Sequence, residues 1–259
     1  MANEKPLILI TNDDGITAPG IRNLISVMNE LGDVWVVAPD KGQSGMGHAI
    51  TVNSTLHVDE INIDDGPQKE FSCSGTPADC VKLAISELLP KKPDLCVSGI
   101  NHGSNSAINV IYSGTMSAAI EAGMEGIPAI GFSLLDYSLG ANFEHSKPFV
   151  KRIAENTLNN GVPQGVILNV NIPNLTLEEI KGVKVCRQAK ATWEEEFDRR
   201  IDPRGRTYFW LTGKFVNLDK GEDTDEWALE NGYISIVPVQ YDLTAHFAIQ
   251  RLNAWNNEG

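Results

Sequence analysis

The first half of the chain alternates two kinds of apolar pattern, and this alternation limits the folds that it can adopt. Residues 7–11 (LILIT) and 34–38 (VWVVA) are continuous apolar runs, which are typical of strands buried on both faces of a parallel sheet. Between them, residues 21–31 carry apolar side chains at helical spacing. The same order continues with a helix, a strand, a helix and a strand, predicted over 77–89, 95–98, 114–123 and 127–132. This order predicts a Rossmann-like three-layer α/β/α sandwich around a mostly parallel sheet.

The remainder of the chain adds β structure to this sandwich. Residues 50–58 (ITVNSTLHV) alternate, and a turn signal separates them from a short strand at 69–73, which predicts an inserted β-hairpin. A helix over 147–158 and a strand over 165–172 follow. The region 183–238 is mainly β, with a turn-rich stretch at 219–226, and a helix is expected over 244–255. We expect one domain, with a core over 1–182 plus the C-terminal helix and an extension over 183–240 that serves oligomerisation.

Composition excludes several classes of partner. The 259 residues carry a net charge of −13 with a pI near 4.8, which disfavours long nucleic acids and anionic membranes. A small phosphorylated substrate remains compatible, because a bound cation can reverse the local field. The first apolar run is too short for a signal-peptide core, no stretch approaches a membrane span of about 20 residues, and the cytoplasm is the expected location. The four cysteines form no CxxC pair.

Four clusters of small and polar residues each follow a predicted strand or open a predicted helix. In open parallel sheets, ligands bind beyond the carboxyl ends of the strands, so these segments are expected to meet at one cleft. They are Thr11-Asn12-Asp13-Asp14-Gly15, the segment 39–45 (PDKGQSG), the segment 98–105 (SGINHGSN) and Ser113-Gly114-Thr115.

Two adjacent aspartates are the strongest signal for a metal ion. Asp-Asp-Gly is also good turn chemistry, but two carboxylates at a partly buried strand end are costly unless a cation relieves them. The companion groups in the other segments, the Ser44 hydroxyl and the Asn101 amide oxygen, are hard oxygen donors. With Asp13 and Asp14 they favour Mg²⁺, Mn²⁺ or Ca²⁺ over structural zinc.

The segment Ser113-Gly114-Thr115 opens a predicted helix, whose N-terminus is a site for an anion. The alternative is that Ser113 only caps the helix. Asn105 could donate to a phosphate or only brace its glycine-rich loop. The chain has no G-x-x-x-x-G-K-[ST] motif of P-loop nucleotide hydrolases and no G-x-S-x-G motif of serine hydrolases. Its glycines at 42–47 are followed by strand-like sequence, whereas the glycines of a dinucleotide-binding motif are followed by a helix, so that motif is also excluded.

Five ordered blocks resemble the SurE family of nucleotidases: TNDDGITAPGI, APDKGQSGMGHAIT, SGTPADCVKLA, DLCVSGINHGSN and IYSGTMSAAIEAG. The family is known as metal-dependent phosphatases of nucleoside 5′- and 3′-monophosphates, some of which also trim short polyphosphate. The resemblance places the family's metal ligands on Asp13, Asp14, Ser44 and Asn101. It implies one divalent ion per subunit, Mg²⁺ or Mn²⁺, with Ca²⁺ in crystals. It also implies dimers that exchange a C-terminal arm, and often tetramers.

The chain departs from the family pattern after Asn101. His102, Ala107 and Asn109 stand where the pattern has Arg, Gly and Asp. The four ligand positions are intact, so the expected reaction is hydrolysis of a phosphomonoester, with Asp13 and Asp14 anchoring the metal and the altered loop affecting substrate preference.

The general acid is not evident from the sequence. His48 and His246 are the candidates, and each also fits a structural or surface histidine. Asp242 lies four residues before His246, so on a helix it would orient the imidazole; alternatively it caps that helix. Two other functions fit the sequence: a Rossmann-like oxidoreductase or transferase, which lacks a cofactor fingerprint, and a nucleotide-binding sensor that keeps the metal site without turnover.

Overall fold

Nine of the strands form one sheet in a computed structural model that describes residues 5–138 and 140–257. The strands, in chain order, are β1 Leu7–Thr11, β2 Asp33–Pro39, β3 Val58–Ile61, β4 Lys69–Cys73, β5 Leu95–His102, β6 Ala129–Leu134, β7 Val166–Ile172, β8 Val183–Val185, β9 Ala191–Ile201, β10 Thr207–Asn217 and β11 Ile234–Gln240. Their order in the large sheet is β3-β4-β2-β1-β5-β6-β7-β11-β8, while β9 and β10 pair with each other.

The centre of the large sheet is parallel and its margins are mixed. Six adjacent strands are parallel to one another, namely β4, β2, β1, β5, β6 and β7. β3 is antiparallel to β4, β11 is antiparallel to β7, and β8 runs parallel to β11. The predicted mostly parallel sheet is confirmed.

Helices cover both faces of the sheet. They are α1 Pro19–Met28, α2 Pro77–Leu83, α3 Asn109–Tyr112, α4 Gly114–Met124, α5 Lys147–Asn160, α6 Asp225–Glu230 and α7 His246–Asn253, and a π-helical turn, Ala84–Leu88, extends α2. Ile8 and Ile10 pack in one apolar cluster with α1 and α5, whereas Leu9 packs in a second cluster with α2 and α4. Successive side chains of a strand point to opposite faces, so β1 is buried on both. The three-layer sandwich is confirmed.

The strand predicted over 50–58 is wrong, because only Val58 belongs to a strand. The preceding segment lies against the N-terminus of α2. Thr51 donates from its backbone N–H and its hydroxyl to the Asp79 carboxylate, and the Ala49 carbonyl accepts from the Thr76 hydroxyl. These side chains satisfy the polar backbone groups that a neighbouring strand would otherwise pair. The hairpin does exist, but it consists of β3 and β4, and β4 is itself part of the parallel sheet.

The C-terminal part of the chain is divided between the large sheet and two exposed elements. Within the region predicted as mainly β, β8 and β11 join the large sheet, whereas β9 and β10 form a separate antiparallel hairpin. The predicted turn-rich stretch runs into α6, whose first residue is Asp225. The predicted terminal helix begins at His246, two residues later than expected, and α7 buries none of its residues. Among the described residues, no helix is long and apolar enough to cross a membrane.

Candidate active site

The two aspartates lie at the topological switch point of the large sheet, which is next to β1. β1 is hydrogen-bonded to β2 on one side and to β5 on the other, so the chain crosses from one half of the sheet to the other at this point. Asp13 and Asp14 come two and three residues after the end of β1, and Asn101 lies near the end of β5. Crevices of this kind are where open α/β sheets bind ligands. The pairing of β5 with β6 also shifts register between Ser98 and Asn101, a bulge that changes the direction of the strand end.

Asp13 is almost completely buried, with 4% of its surface exposed. Its Oδ1 accepts a hydrogen bond of 2.5 Å from the Thr115 hydroxyl, and its backbone carbonyl accepts one of 2.7 Å from the Gln43 N–H. Burial raises the pKa of the Asp13 carboxyl to about 6, and the neighbouring charge of Asp14 adds to the effect. These contacts bring three of the four segments to one residue, Asp13.

Asp14 is partly buried and faces the fourth segment. The backbone N–H of His102 donates to its Oδ2 at 3.3 Å. Burial raises the pKa of Asp14, against the opposing effect of that hydrogen bond. Two adjacent carboxylates are therefore held where water solvates them poorly.

Ser44 and Asn101 each carry an uncharged oxygen atom, and each is adjacent in sequence to a residue that contacts the pair. Ser44 is exposed, and the residue before it, Gln43, anchors its loop to Asp13. The Asn101 amide nitrogen donates to the carbonyls of His102 and Gly103 at 3.2 and 3.0 Å. With the nitrogen used in this way, the amide oxygen is the atom that remains for a cation.

The start of α4 lies directly against Asp13. Ser113 is the N-cap, since its hydroxyl accepts from the Met116 N–H at 3.0 Å, as the capping alternative predicts. The approach at Gly114 is close: a Cβ added there would lie 2.6 Å from the Asp13 Cβ. The positive end of an eleven-residue helix therefore abuts the acidic pair, and a phosphate bound here would contact both.

The loop that carries Asn105 is held by a buried polar network that the sequence prediction missed. The Asn105 amide nitrogen donates to the Ser133 hydroxyl at 2.8 Å, and its backbone N–H donates to Asn171 Oδ1 at 2.8 Å. Asn169 donates to the Asn105 carbonyl and accepts from the Asn171 amide. A signal was present, because two asparagines at alternate positions interrupt the apolar run of β7.

α6 braces the same loop from the other side. Asp225 Oδ2 accepts from the Ala107 N–H at 2.8 Å, and Glu226 accepts from the Ser106 hydroxyl. The N-terminus of this helix thus connects the C-terminal region of the chain to the segment that follows Asn101.

The two candidate general acids have different surroundings. His48 is hydrogen-bonded to Glu121 of α4 at 2.8 Å, and Lys82 is bonded to the other oxygen of that carboxylate. His246 is hydrogen-bonded to Asp242 at 2.9 Å on the exposed C-terminal arm. Within the described part of the chain, neither imidazole is hydrogen-bonded to a residue of the acidic pair or of the α4 start.

The donor set fits a hard divalent cation. No group of three His, Cys, Asp or Glu side chains that could hold a metal occurs among residues 5–138 and 140–257, so nitrogen- and sulfur-rich sites are not offered there. The acidic pair, with the Ser44 hydroxyl and the Asn101 amide oxygen, would be a set of hard oxygen donors of the kind that Mg²⁺ and Mn²⁺ prefer. The raised pKa values of Asp13 and Asp14 indicate that a cation would stabilise their charged forms.

Comparison with known proteins identifies the family. The family sequence model described as Survival protein SurE matches residues 8–195. The chain belongs to the SurE family. It is 68% identical to the 5′-nucleotidase SurE of Flavobacterium psychrophilum over 97% of this chain and 98% of that protein. It is 69% identical to the 5′-nucleotidase SurE of Christiangramia forsetii, covering 99% of each.

A solved structure confirms the fold. The crystal structure of the SurE protein from Aquifex aeolicus superimposes with a TM-score of 0.83 at 41% identity, covering 97% of this chain and 100% of that one. At this identity the likeness extends to the sequence as well as the backbone.

The positions where this SurE family member departs from the family pattern have defined contacts. His102 packs edge-on against Phe143, with ring centroids 5.0 Å apart. Ala107 has a positive φ of 49°, a conformation that glycine adopts more readily. Asn109 Oδ1 accepts a hydrogen bond of 2.8 Å from the indole of Trp193 in β9. The altered loop therefore contacts the β9–β10 hairpin.

Proposed function

We propose that this SurE family member is a metal-dependent phosphomonoesterase that hydrolyses nucleoside 5′-monophosphates, and also 3′-monophosphates, to a nucleoside and phosphate. One observation carries the proposal: the buried carboxylate of Asp13 is hydrogen-bonded to Thr115 in the first turn of α4. A cation at the acidic pair and a phosphate at the helix start would then be in contact. The full-length relatives named 5′-nucleotidase support the choice of substrate class.

The metal ligands in this proposal are Asp13, Asp14, Ser44 and Asn101, with one Mg²⁺ or Mn²⁺ per subunit and Ca²⁺ as a substitute in crystals. The bound ion supplies Lewis-acid chemistry, since it neutralises charge on the phosphoryl group and makes water a better nucleophile. Asp13 and Asp14 anchor the ion, and the more exposed Asp14 orients the attacking water. Thr115 and the Gln43 N–H hold Asp13 in one orientation.

The phosphate oxygens are held by the residues that open α4. Ser113, Gly114 and Thr115 offer backbone N–H groups and the positive end of the helix. The Asn105 amide nitrogen donates one hydrogen to Ser133, and we propose that it donates its second hydrogen to a phosphate oxygen of the substrate. The buried network around Asn105 fixes the direction of that donor.

A phosphate-release assay tests the activity. We expect p-nitrophenyl phosphate to be hydrolysed with Mn²⁺ or Mg²⁺ and not with excess chelator, and a panel of nucleoside monophosphates then ranks the substrates. An oxidoreductase or transferase would release no phosphate from either. Nucleotide binding by calorimetry without phosphate release would establish the sensor alternative in place of the enzyme.

Assembly and location complete the proposal. Phe247 in α7 and Trp255 in the 3-10 turn after it are 92% and 71% accessible, and the β9–β10 hairpin exposes Phe197 and Trp210. Apolar surface of this extent is typical of protein interfaces. We propose a cytoplasmic homodimer or homotetramer that assembles through the β9–β10 hairpin of the 183–240 extension and through the C-terminal arm, while β8 and β11 of that extension stay in the large sheet. Light scattering tests it: a monodisperse species of 28.3 kDa would contradict the assembly.

A further inference from the structure

A cavity of about 540 Å³ lies beside the candidate active site. Its volume is in the range of about 300–1,000 Å³ that is common for small-molecule sites. The lining residues come from the loop after β2, from the end of α3 and from the hairpin: Gly45, Tyr112, Trp193, Glu195, Leu211, Thr212 and Gly213.

One face of the β9–β10 hairpin forms a wall of this cavity. In the antiparallel register, Gly213 is opposite Glu195, whereas Phe215 is opposite Trp193. Alternate residues share a face of a strand, so these four side-chain positions are on one face. Gly213 has no side chain, and a Cβ there would lie 2.6 Å from the Glu194 carbonyl oxygen. A side chain at this position would displace the neighbouring strand, so the cavity is lined there by backbone, beside the indole of Trp193.

The Trp193 ring is fixed while part of it stays exposed. Its Nε1–H donates to Asn109 Oδ1 at 2.8 Å, and the Phe215 ring packs edge-on with centroids 5.5 Å apart. Even so, 43% of the residue is accessible, and Tyr112 is 52% accessible. A rigid, exposed aromatic surface binds a flat ligand with little loss of side-chain entropy.

The cavity begins one residue away from two groups of the proposed site. Gly45 follows the proposed ligand Ser44, and Tyr112 precedes Ser113, the N-cap of α4. The Gly47 N–H donates to the Tyr112 carbonyl at 3.2 Å, so the two segments are joined. A ligand whose phosphate is bound at the start of α4 can extend between them into the cavity.

We propose that this cavity is the nucleobase subsite, in which Trp193 and Tyr112 provide aromatic surface for the base. The Glu195 carboxylate at its rim accepts hydrogen bonds from N–H groups of the base. Asn109, which differs from the family pattern, is a positioning residue because it holds the indole. The proposal rests on the proposed nucleotidase function and adds how the enzyme distinguishes a nucleotide from a phosphorylated sugar.

The test compares AMP with ribose 5-phosphate, which has the same phosphate ester and sugar but no base. Stacking on an aromatic side chain contributes roughly 1–3 kcal/mol per base, so we expect Trp193→Ala to lower the AMP to ribose 5-phosphate ratio of kcat/KM about tenfold or more. The loss should be mainly in the KM for AMP. Trp193→Phe should restore most of the ratio, because it keeps a flat ring.

Trp210→Ala is the matched control, since Trp210 is on β10 but does not line the cavity. We expect it to leave the ratio unchanged, and light scattering of each variant checks that assembly is the same. Asn109→Ala should lower the ratio in the same direction as Trp193→Ala. An equal loss for both substrates in Trp193→Ala, or an unchanged ratio, would overturn the subsite.

Failure of the nucleotidase function has a different signature. If the unaltered protein hydrolyses neither compound, calorimetry in the presence of Mn²⁺ measures the binding of AMP and ribose 5-phosphate instead. Tighter binding of AMP that Trp193→Ala abolishes would support the subsite without the activity. Equal binding of the two compounds would overturn it.

Discussion

The Thr115 hydroxyl donates a hydrogen bond of 2.5 Å to Asp13 Oδ1 and so joins the end of β1 to the first turn of α4. Both residues are buried, with 0% and 4% of their surfaces exposed. A charged carboxylate in such surroundings is costly, although this hydrogen bond lowers the cost. The site is thus arranged for a cation at some expense to the stability of the metal-free protein.

The first prediction concerns the stability of the chelator-treated protein as pH changes. Because the pKa of Asp13 is about 6 when folded and near 3.8 when unfolded, the folded state binds more protons between these values. The contribution of Asp13 to the free energy of unfolding therefore falls as pH rises from about 4 to about 6, by at most about 3 kcal/mol.

Asp13→Asn removes this titration. Denaturant unfolding with chelator should show the variant gaining stability relative to the unaltered protein between pH 4.5 and pH 7.5. Mn²⁺ should raise the melting temperature of the unaltered protein more than that of the variant. A stability difference that is the same at both pH values would contradict the assignment of the raised pKa.

The second prediction concerns the metal in catalysis. Asp14→Asn should reduce phosphatase activity at least about a hundredfold in a folded protein, because the ion loses an anionic ligand. Asp94→Asn is the control, since Asp94 precedes β5 at the opposite end of the sheet and accepts a hydrogen bond from the Leu7 N–H. Normal turnover and normal Mn²⁺ affinity in Asp14→Asn would remove Asp14 from the site.

The third prediction concerns the contact of Asp13 with α4. In Gly114→Ala the new Cβ would lie 2.6 Å from the Asp13 Cβ, so the helix start and the carboxylate must separate. A displacement of this kind can cost on the order of a hundredfold in rate, and we expect kcat/KM to fall at least about tenfold. Phosphate should inhibit the unaltered enzyme competitively and the variant more weakly.

Gly123→Ala provides the comparison, because it also introduces a clash in α4 but against the Ile167 side chain, away from the site. It should lower the melting temperature and leave phosphate inhibition unchanged. Equal phosphate affinity in the Gly114 variant and the unaltered protein would exclude the helix start as the anion site.

Much of the parallel sheet could be predicted because its strands are continuous apolar runs. Leu9 and Ile10 pack in clusters on opposite faces, and that double burial is what the run LILIT indicates. The rule that ligands bind at strand ends then placed Asp13 and Asp14 near Asn101 without any tertiary information. The family and the 5′-nucleotidase class predicted from the sequence motifs are confirmed by the relatives.

The remainder depends on partners that are distant in the sequence. The alternation around Thr51 is typical of a strand, yet its backbone N–H is bonded to Asp79 of α2. β11 belongs to the large sheet because it pairs with β7, and nothing local to either strand indicates that pairing. The contact of Asn109 with Trp193 joins residues 84 positions apart, so the cavity beside the site had no sequence signal.

The fourth prediction concerns the strained loop residue Ala107. A left-handed conformation costs a non-glycine residue roughly 1–2 kcal/mol. Replacement by glycine removes this cost, but the greater conformational entropy of glycine in the unfolded chain cancels about half of the gain. The Ala107 methyl is itself buried and packs with Ala189 and Ala191, so its removal costs about as much as the relieved strain. Ala107→Gly should therefore change the melting temperature by less than about 2 °C, whereas Ala154→Gly, at an equally buried alanine in the middle of α5, should lower it by several degrees. An equal loss in the two variants would contradict the strain.

The fifth prediction concerns His246 as the proton donor to the leaving group, and its test depends on leaving-group basicity. The Thr244 hydroxyl, the Thr244 N–H and the His246 imidazole lower the pKa of Asp242 to about 2, so this carboxylate is charged and orients the ring. Asp242 does not cap α7, since Ala245 is the N-cap residue. This role requires that the exposed arm bring the imidazole to the active site of a neighbouring subunit in the oligomer.

General acids contribute roughly 10²–10⁴-fold, and they matter most for a basic leaving alkoxide. His246→Ala should therefore lower kcat for nucleotides on the order of a hundredfold and much less for p-nitrophenyl phosphate, whose leaving group needs no proton. His57→Ala, at an exposed histidine before β3, should affect neither substrate. Light scattering must show the same assembly for both variants, because a lost oligomer would lower turnover of the two substrates together. An equal effect on both substrates in an intact oligomer, or none, would leave His246 with only a structural role on the arm.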